Sequence, residues 1–138
     1  MVFSVFRLEE LKLLKGLLAA GITVGVAAVF PEPLIFPFFA AVLGLVVGAY
    51  PGIAMARPEE GHAVSQWVVA IAILALGLFG LWQSPLLLAA AWLFHALWSL
   101  MHQFTGLADR VTEGYPSFCV SFDLVMAAFV SYMWMASF

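Results

Sequence analysis

The sequence predicts an all-α fold: a polytopic membrane bundle of five transmembrane helices, N-terminus cytoplasmic and C-terminus outside. Three observations predict it. Of the 138 residues, 65% are hydrophobic and 9% charged, against roughly 45–50% and about 25% in soluble domains. The apolar residues fall into five stretches of spanning length, and the basic residues occur on alternate connections only. A soluble fold of this size would expose more apolar surface than a monomer tolerates, so lipid is the solvent for most of the chain. A soluble enzyme, a disordered tail and a disulfide scaffold are excluded. A net charge of -3 with five Lys and Arg residues argues against nucleic-acid binding. Cys119 is the single cysteine and has no internal partner.

The chain reads as one domain, 1–138, with spans at about 13–30, 34–56, 63–81, 85–104 and 116–138. Span one, Leu13–Phe30, follows Arg7, Lys12 and Lys15. Glu9 and Glu10 sit where a cleaved signal would be basic, so the segment reads as a span. Pro31-Glu32-Pro33 turns the chain into span two, Leu34–Ala56, where Pro37 and Pro51 are expected to bend or fray the ends. Arg57-Pro58-Glu59-Glu60-Gly61 leads to span three, Ala63–Leu81, and Gln83-Ser84-Pro85 to span four, Pro85–Phe104. The longest connection, Thr105 to Tyr115, carries Gly106, Asp109, Arg110, Glu113 and Gly114 and precedes span five, Pro116–Phe138. With the N-terminus inside, all five basic residues lie on the cytoplasmic side. This reads as a multi-pass protein of a cell inner membrane.

Glycines at four-residue spacing, Gly44, Gly48 and Gly52 on span two and Gly21 and Gly25 on span one, let helix backbones approach. They could serve internal packing, a homo-oligomer or a membrane partner beyond the lipid bilayer itself. Tyr50, Trp67, Trp82, Tyr115, Tyr132 and Trp134 crowd the span ends and read as interfacial anchors.

The topology sorts the polar residues by depth. His102 lies near the cytoplasmic end of span four, and His95, seven residues earlier, about 10 Å deeper at 1.5 Å per residue. Asp123 reaches the same level from the start of span five. His95, Ser99 and His102 share one helix face with Trp98 beside it, as Cys119 and Asp123 share another. An ionisable residue at membrane depth normally faces a bundle interior or a watery cavity and finds a partner. Pairing Asp123 with His95 satisfies both, with His102 above and His62, beside Glu59 and Glu60, closing a ring.

Such a His/His/Asp pocket suits a metal ion held by His95, His102 and Asp123, with Cys119 and His62 as further candidate ligands. It suits equally a small amphiphilic ligand. The cofactor stays unknown: a transition-metal ion fits the donor set, and haem iron between histidines of two helices is a further option. The spacing matches no standard metalloenzyme signature. Two alternatives remain open. One is a non-catalytic accessory subunit of a larger membrane assembly. The other is a membrane-embedded enzyme acting on a lipid or quinone by His–Asp acid–base chemistry, which would need a lateral opening between spans four and five.

The run from Ala91 to His102, followed by Pro116 to Asp123, resembles a family of small bacterial integral membrane proteins known only as a domain of unknown function. The resemblance rests on His-x-x-Trp-x-x-x-His in one span and Cys-x-x-x-Asp in the next, here His95, Trp98, His102, Cys119 and Asp123. It covers the last third of the chain. Ser99 and Gln103 depart from the pattern, which has an acidic residue and a second histidine there. The resemblance implies that the five residues act as one constellation, and it implies no reaction.

Overall fold

The computed structural model describes residues 2–57, 62–105 and 114–137, with side chains from Glu10 onward. Every element among them is helical: α1 (Val2–Ala27), α2 (Glu32–Val47), α3 (Ala49–Met55), α4 (Ala63–Gln83), α5 (Pro85–Phe104) and α6 (Tyr115–Ala136). Four segments are long and apolar enough to cross a membrane: Glu32–Met55, α4, α5 and α6. The expected first span differs. It is the C-terminal part of a longer helix that carries Glu10, Lys12 and Lys15 inside it. The uncharged stretch left, Gly16 to Ala27, is shorter than the roughly 20 residues a spanning helix needs, so a crossing by α1 would take in the turns that carry Lys12 and Lys15, whose long side chains can reach back to the interface.

Local chemistry explains the boundaries. α1 ends at Ala27, and Val29 and Phe30 close a turn by donating to the carbonyls of Val26 and Ala27. Pro31 caps α2 and Pro33 sits in its first turn, where a missing N–H costs nothing. The expected second span is interrupted at Gly48, between α2 and α3. The interruption follows from Pro51: it has no N–H for the Val47 carbonyl, and its ring crowds that carbonyl. Pro37 is accommodated within α2. Ser84 alone joins α4 to α5, extended at φ -168° and ψ 127°, with its hydroxyl accepting from the Leu86 N–H at 3.3 Å and Pro85 opening the helix. Gly114 caps α6 at φ 83°, a left-handed conformation that glycine adopts without strain.

α5 and α6 form the most extensive helix pair, so the two spans assumed to be neighbours are neighbours. α1 packs along the other side of α6, and α4 along α5. α2 lies mainly on α4 and also reaches α1, α5 and α6, while α3 lies on α4. The interior divides in two. One half is apolar, built from Phe39, Leu43, Leu88, Trp92, Met126 and Val130. The other half holds Tyr50, Gln66, His95, Ser99, His102, Ser117, Ser121 and Asp123, all buried. Outside, Leu45, Val64, Phe79, Trp82 and Phe104 are exposed, which suits lipid and not water.

The close backbone approaches are not where the glycine spacing places them. A Cβ at Gly21, Gly25 or Gly52 would meet nothing within 4 Å, and at Gly44 only Leu74, at 3.6 Å. The tight contacts fall at Gly16, against Ser121 and the Phe118 carbonyl, and at Gly77 and Gly80. A Cβ on Gly80 would lie 2.7 Å from the Leu88 nitrogen. A one-residue connection forces the α4 and α5 backbones together near Ser84, so the small residues are needed there.

Candidate functional site

The polar half of the interior contains two hydrogen-bonded units. In the first, His95 Nδ1 lies 2.7 Å from Asp123 Oδ2, joining α5 to α6. Both side chains are at most 1% exposed. The depth argument placed these residues level, and the structure brings them together. An imidazole donating through Nδ1 to a carboxylate is fixed in one orientation, with its Nε2 directed away from the partner.

The second unit links α4 to α5. The Trp98 indole N–H donates to Gln66 Oε1 at 3.0 Å, Gln66 Nε2 lies 2.6 Å from His102 Nε2, and His102 Nδ1 lies 2.8 Å from the Trp98 carbonyl. Elementary valence fixes the protons. A carbonyl only accepts, so Nδ1 carries the hydrogen; an amide nitrogen only donates, so Nε2 supplies its lone pair. His102 is therefore neutral with both nitrogens engaged. The expected ring of His95, His102 and Asp123 separates into these two units. Among the described residues, no three His, Cys, Asp or Glu side chains group closely enough to hold a metal ion.

Tyr50 stands between the units. Its ring stacks on His102 with centroids 4.4 Å apart and tilts against His95 at 5.7 Å. It also faces Ser99, Cys119 and Asp123. The sequence reading took Tyr50 for an interfacial anchor, yet it is only 2% exposed. The break at Gly48 and the short α3 carry it inward. Trp67, Trp82 and Tyr132 remain on the surface, as anchors should. Tyr115 is half-buried against Tyr50 and reaches the Val46 carbonyl at 3.5 Å. Cys119 is buried beside Tyr50, Tyr115 and Ser99. His62 caps α4 and lies within electrostatic reach of His102. Glu59 and Glu60, expected beside it, and Gly106, Asp109, Arg110 and Glu113 of the long connection lie outside the described residues.

Gln66 was missed altogether. One signal was available: an uncharged amide one turn into an otherwise apolar span. Among the described residues five buried polar atoms have no close hydrogen-bond partner, Tyr50 Oη, Trp92 Nε1, His95 Nε2, Ser99 Oγ and Asp123 Oδ1, although Tyr50 and Ser99 face each other and Cys119. Buried polar groups are nearly always paired, and the usual grounds for an exception are strain, a catalytic role or a bound water or ion. On the outer side of the second unit, α4 and α5 leave an apolar groove of ≈ 500 Å³ lined by Val68, Ala72, Leu76, Phe94, Leu97 and Trp98, among others. This concavity lies between spans three and four.

Apolar helices of spanning length, a lipid-compatible exterior and a buried His–Asp pair define a multi-pass helical membrane protein with a polar centre near one end of its bundle. The chain belongs to DUF6010, a family of unknown function whose model matches residues 11–137. The match extends well beyond the last third of the chain, which holds the His95, Trp98, His102, Cys119 and Asp123 pattern. No curated protein and no solved structure matches it.

Proposed function

We propose that the protein crosses a bacterial inner membrane five times with its N-terminus in the cytoplasm, and that His95 and Asp123 act there as an acid–base pair. The pair exchanges a proton with a small molecule bound beside it. One observation carries this reading: His95 Nδ1 is committed to Asp123 while the buried Nε2 has no partner. A carboxylate on Nδ1 leaves the Nε2 lone pair free and stabilises the imidazolium when that lone pair takes a proton, which is the arrangement of a general base.

The orientation draws support from the ends of the helices. The Lys12 side chain lies over Gly114, so the basic part of α1 and the start of α6 share one end of the bundle. Arg57 follows α3 at the turn into α4, and Arg110 belongs to the connection between α5 and α6. Basic residues gathered at one end are the mark of the cytoplasmic side.

The test is solid-state NMR of isotope-labelled histidine in protein reconstituted into phosphatidylcholine vesicles. His95 is expected with a protonated, hydrogen-bonded Nδ1 and a bare Nε2, and this state is expected to change in Asp123→Leu. A protonated Nε2, or a His95 signal identical in the variant, would overturn the reading. So would an equimolar metal ion in the purified protein that disappears in His95→Ala, which would make the pair a coordination site.

A second reading, a non-catalytic subunit of a larger assembly, is favoured by the open space at Gly21, Gly25 and Gly52. In it the pair is purely structural. Native mass spectrometry from mild detergent showing the monomer alone would count against it.

A further inference from the structure

We infer that Tyr115, Cys119, Ser99 and Tyr50 form a proton path that joins the Tyr115 end of the bundle to the unpartnered oxygen of Asp123. The inference deepens the acid–base reading and rests on it, since it supplies the route by which the His95–Asp123 pair gains and loses protons.

Tyr115, Cys119 and Asp123 follow one another at four-residue steps along one face of α6, a rise of roughly 6 Å per step at 1.5 Å per residue. The row begins at the first residue of the helix, where Tyr115 is half-buried, and ends at the fully buried Asp123. Tyr50 of α3 and Ser99 of α5 stand over the steps between. Both face Cys119, and they face each other. Tyr115 also faces Cys119, and its ring lies 5.4 Å from that of Tyr50. Tyr50 and Cys119 both lie within electrostatic reach of Asp123, whose Oδ1 has no close partner. Tyr50 Oη, Ser99 Oγ and Asp123 Oδ1 are closed to water. Between groups so packed only a proton can pass.

The chemistry of the row suits the task. Every group in it is a hydroxyl or a thiol, and each of these both donates and accepts. His102 stacks on Tyr50 but stays outside the row, because both its nitrogens are engaged. Beyond Asp123, α6 turns Met126, Ala127 and Val130 into the apolar half of the interior. The row therefore has one mouth, at Tyr115, on the end of the bundle where the Lys12 side chain lies over Gly114. A proton arriving at Asp123 Oδ1 makes the carboxyl group a neutral acid, while Oδ2 still accepts from His95 Nδ1. When Nε2 gains a proton, Oδ1 releases one into the row, and the net charge of the buried pair stays constant. That avoids the high cost of an unpaired charge in the interior. Each hydroxyl or thiol takes one proton on a lone pair and passes on the one it held, and water at the mouth takes the last. Only O–H, N–H and S–H bonds are made and broken, and nothing is oxidised or reduced.

The experiment uses the full chain in phosphatidylcholine vesicles with isotope-labelled histidine and tryptophan. Solid-state NMR follows the exchange of the His95 Nδ1 hydrogen for deuterium after transfer to heavy water. Cys119→Val, which removes the thiol at similar volume, and Tyr115→Phe are each expected to slow this exchange at least about tenfold, with the His95 nitrogen signals unchanged. Cys119→Ser keeps a group that donates and accepts, and is expected to hold the native rate. The indole hydrogen of Trp92, buried in the apolar half, gauges general opening of the bundle and is expected to exchange alike in every variant. Tyr115→Phe carries the test by itself if Cys119→Val does not fold. Exchange as slow in Cys119→Ser as in Cys119→Val would make Cys119 a packing contact and overturn the path. Equal slowing at Trp92 would trace the effect to a stiffer bundle and overturn it too. Native exchange in both Cys119→Val and Tyr115→Phe, with His95 Nε2 still bare, would overturn the path while the acid–base reading stands. A protonated Nε2 in the native protein would remove that reading and the path with it.

Discussion

Gly16→Ala and Gly21→Ala place the same methyl group on the same helix with opposite expected results. At Gly16 the new Cβ would run into Ser121 Oγ and the Phe118 carbonyl oxygen, and would lie 3.2 Å from the Phe118 carbonyl carbon. The serine could rotate away, but the carbonyl is part of the α6 backbone and cannot, so the two helices must move apart. Overpacking of this kind costs about 1–3 kcal/mol. Separation also breaks the bond from Ser121 Oγ to the Leu13 carbonyl, 3.0 Å long, for which about 0.6 kcal/mol is typical between membrane helices. Alanine is the better helix former by about 1 kcal/mol, which offsets part of the loss. The net expectation for Gly16→Ala is a destabilisation of about 2 kcal/mol. At Gly21 nothing lies within 4 Å, so only the propensity gain of up to about 1 kcal/mol remains. Reversible unfolding in mixed detergent micelles should separate the two variants by about 3 kcal/mol. Ser121→Ala added to Gly16→Ala should restore only part of the loss, because the Phe118 carbonyl stays. Equal stabilities for the two glycine variants would refute the claim that α1 docks on α6 through Gly16.

Two other expectations can be checked directly. Gln66→Leu leaves the Trp98 N–H and His102 Nε2 without partners, and should cost about 1–3 kcal/mol in the same unfolding assay while shifting Trp98 fluorescence. In vesicles of brominated phosphatidylcholine, single-tryptophan variants should be quenched strongly at the exposed Trp82 and weakly at the fully buried Trp92; equal quenching would contradict the lipid-facing surface described above.

The helices were legible because lipid makes a simple demand. A spanning segment must be long, apolar and helical, so spans three and four begin within the sequence as read, at Ala63 and Pro85. Span one was less legible, since charge and length disagree there: α1 starts well before Leu13 and keeps its charged residues within the helix. The pairing of His95 with Asp123 followed from depth, two residues brought level by the known rise per residue, and from the need of a carboxyl group in the membrane for a partner. The fate of His102 did not follow. Its partner Gln66 stands 36 positions away, and helix spacing says nothing about which amide from another helix arrives opposite a histidine. Tyr50 was misread for a related reason. An aromatic residue near a span end looks the same in sequence whether it faces lipid or the interior, and the break at Gly48 decided between them. For packing within the bundle the glycine spacing pointed to the wrong faces, because close approach depends on where the connections are shortest. The single-residue joint at Ser84 fixes Gly77 and Gly80 as the contact points, whatever pattern is repeated elsewhere.

The Ser121–Leu13 bond spans a sequence separation of 108 residues, and it ties α1 to α6. During synthesis α1 is made without its chief neighbour, and its Gly16 face stays bare until α6 arrives. Every intermediate in between must store an incomplete bundle in lipid. The described bundle closes only after α6 is inserted, so the seam between α1 and α6 acts as a completeness check: without α6, α1 keeps only its slight contact with α2.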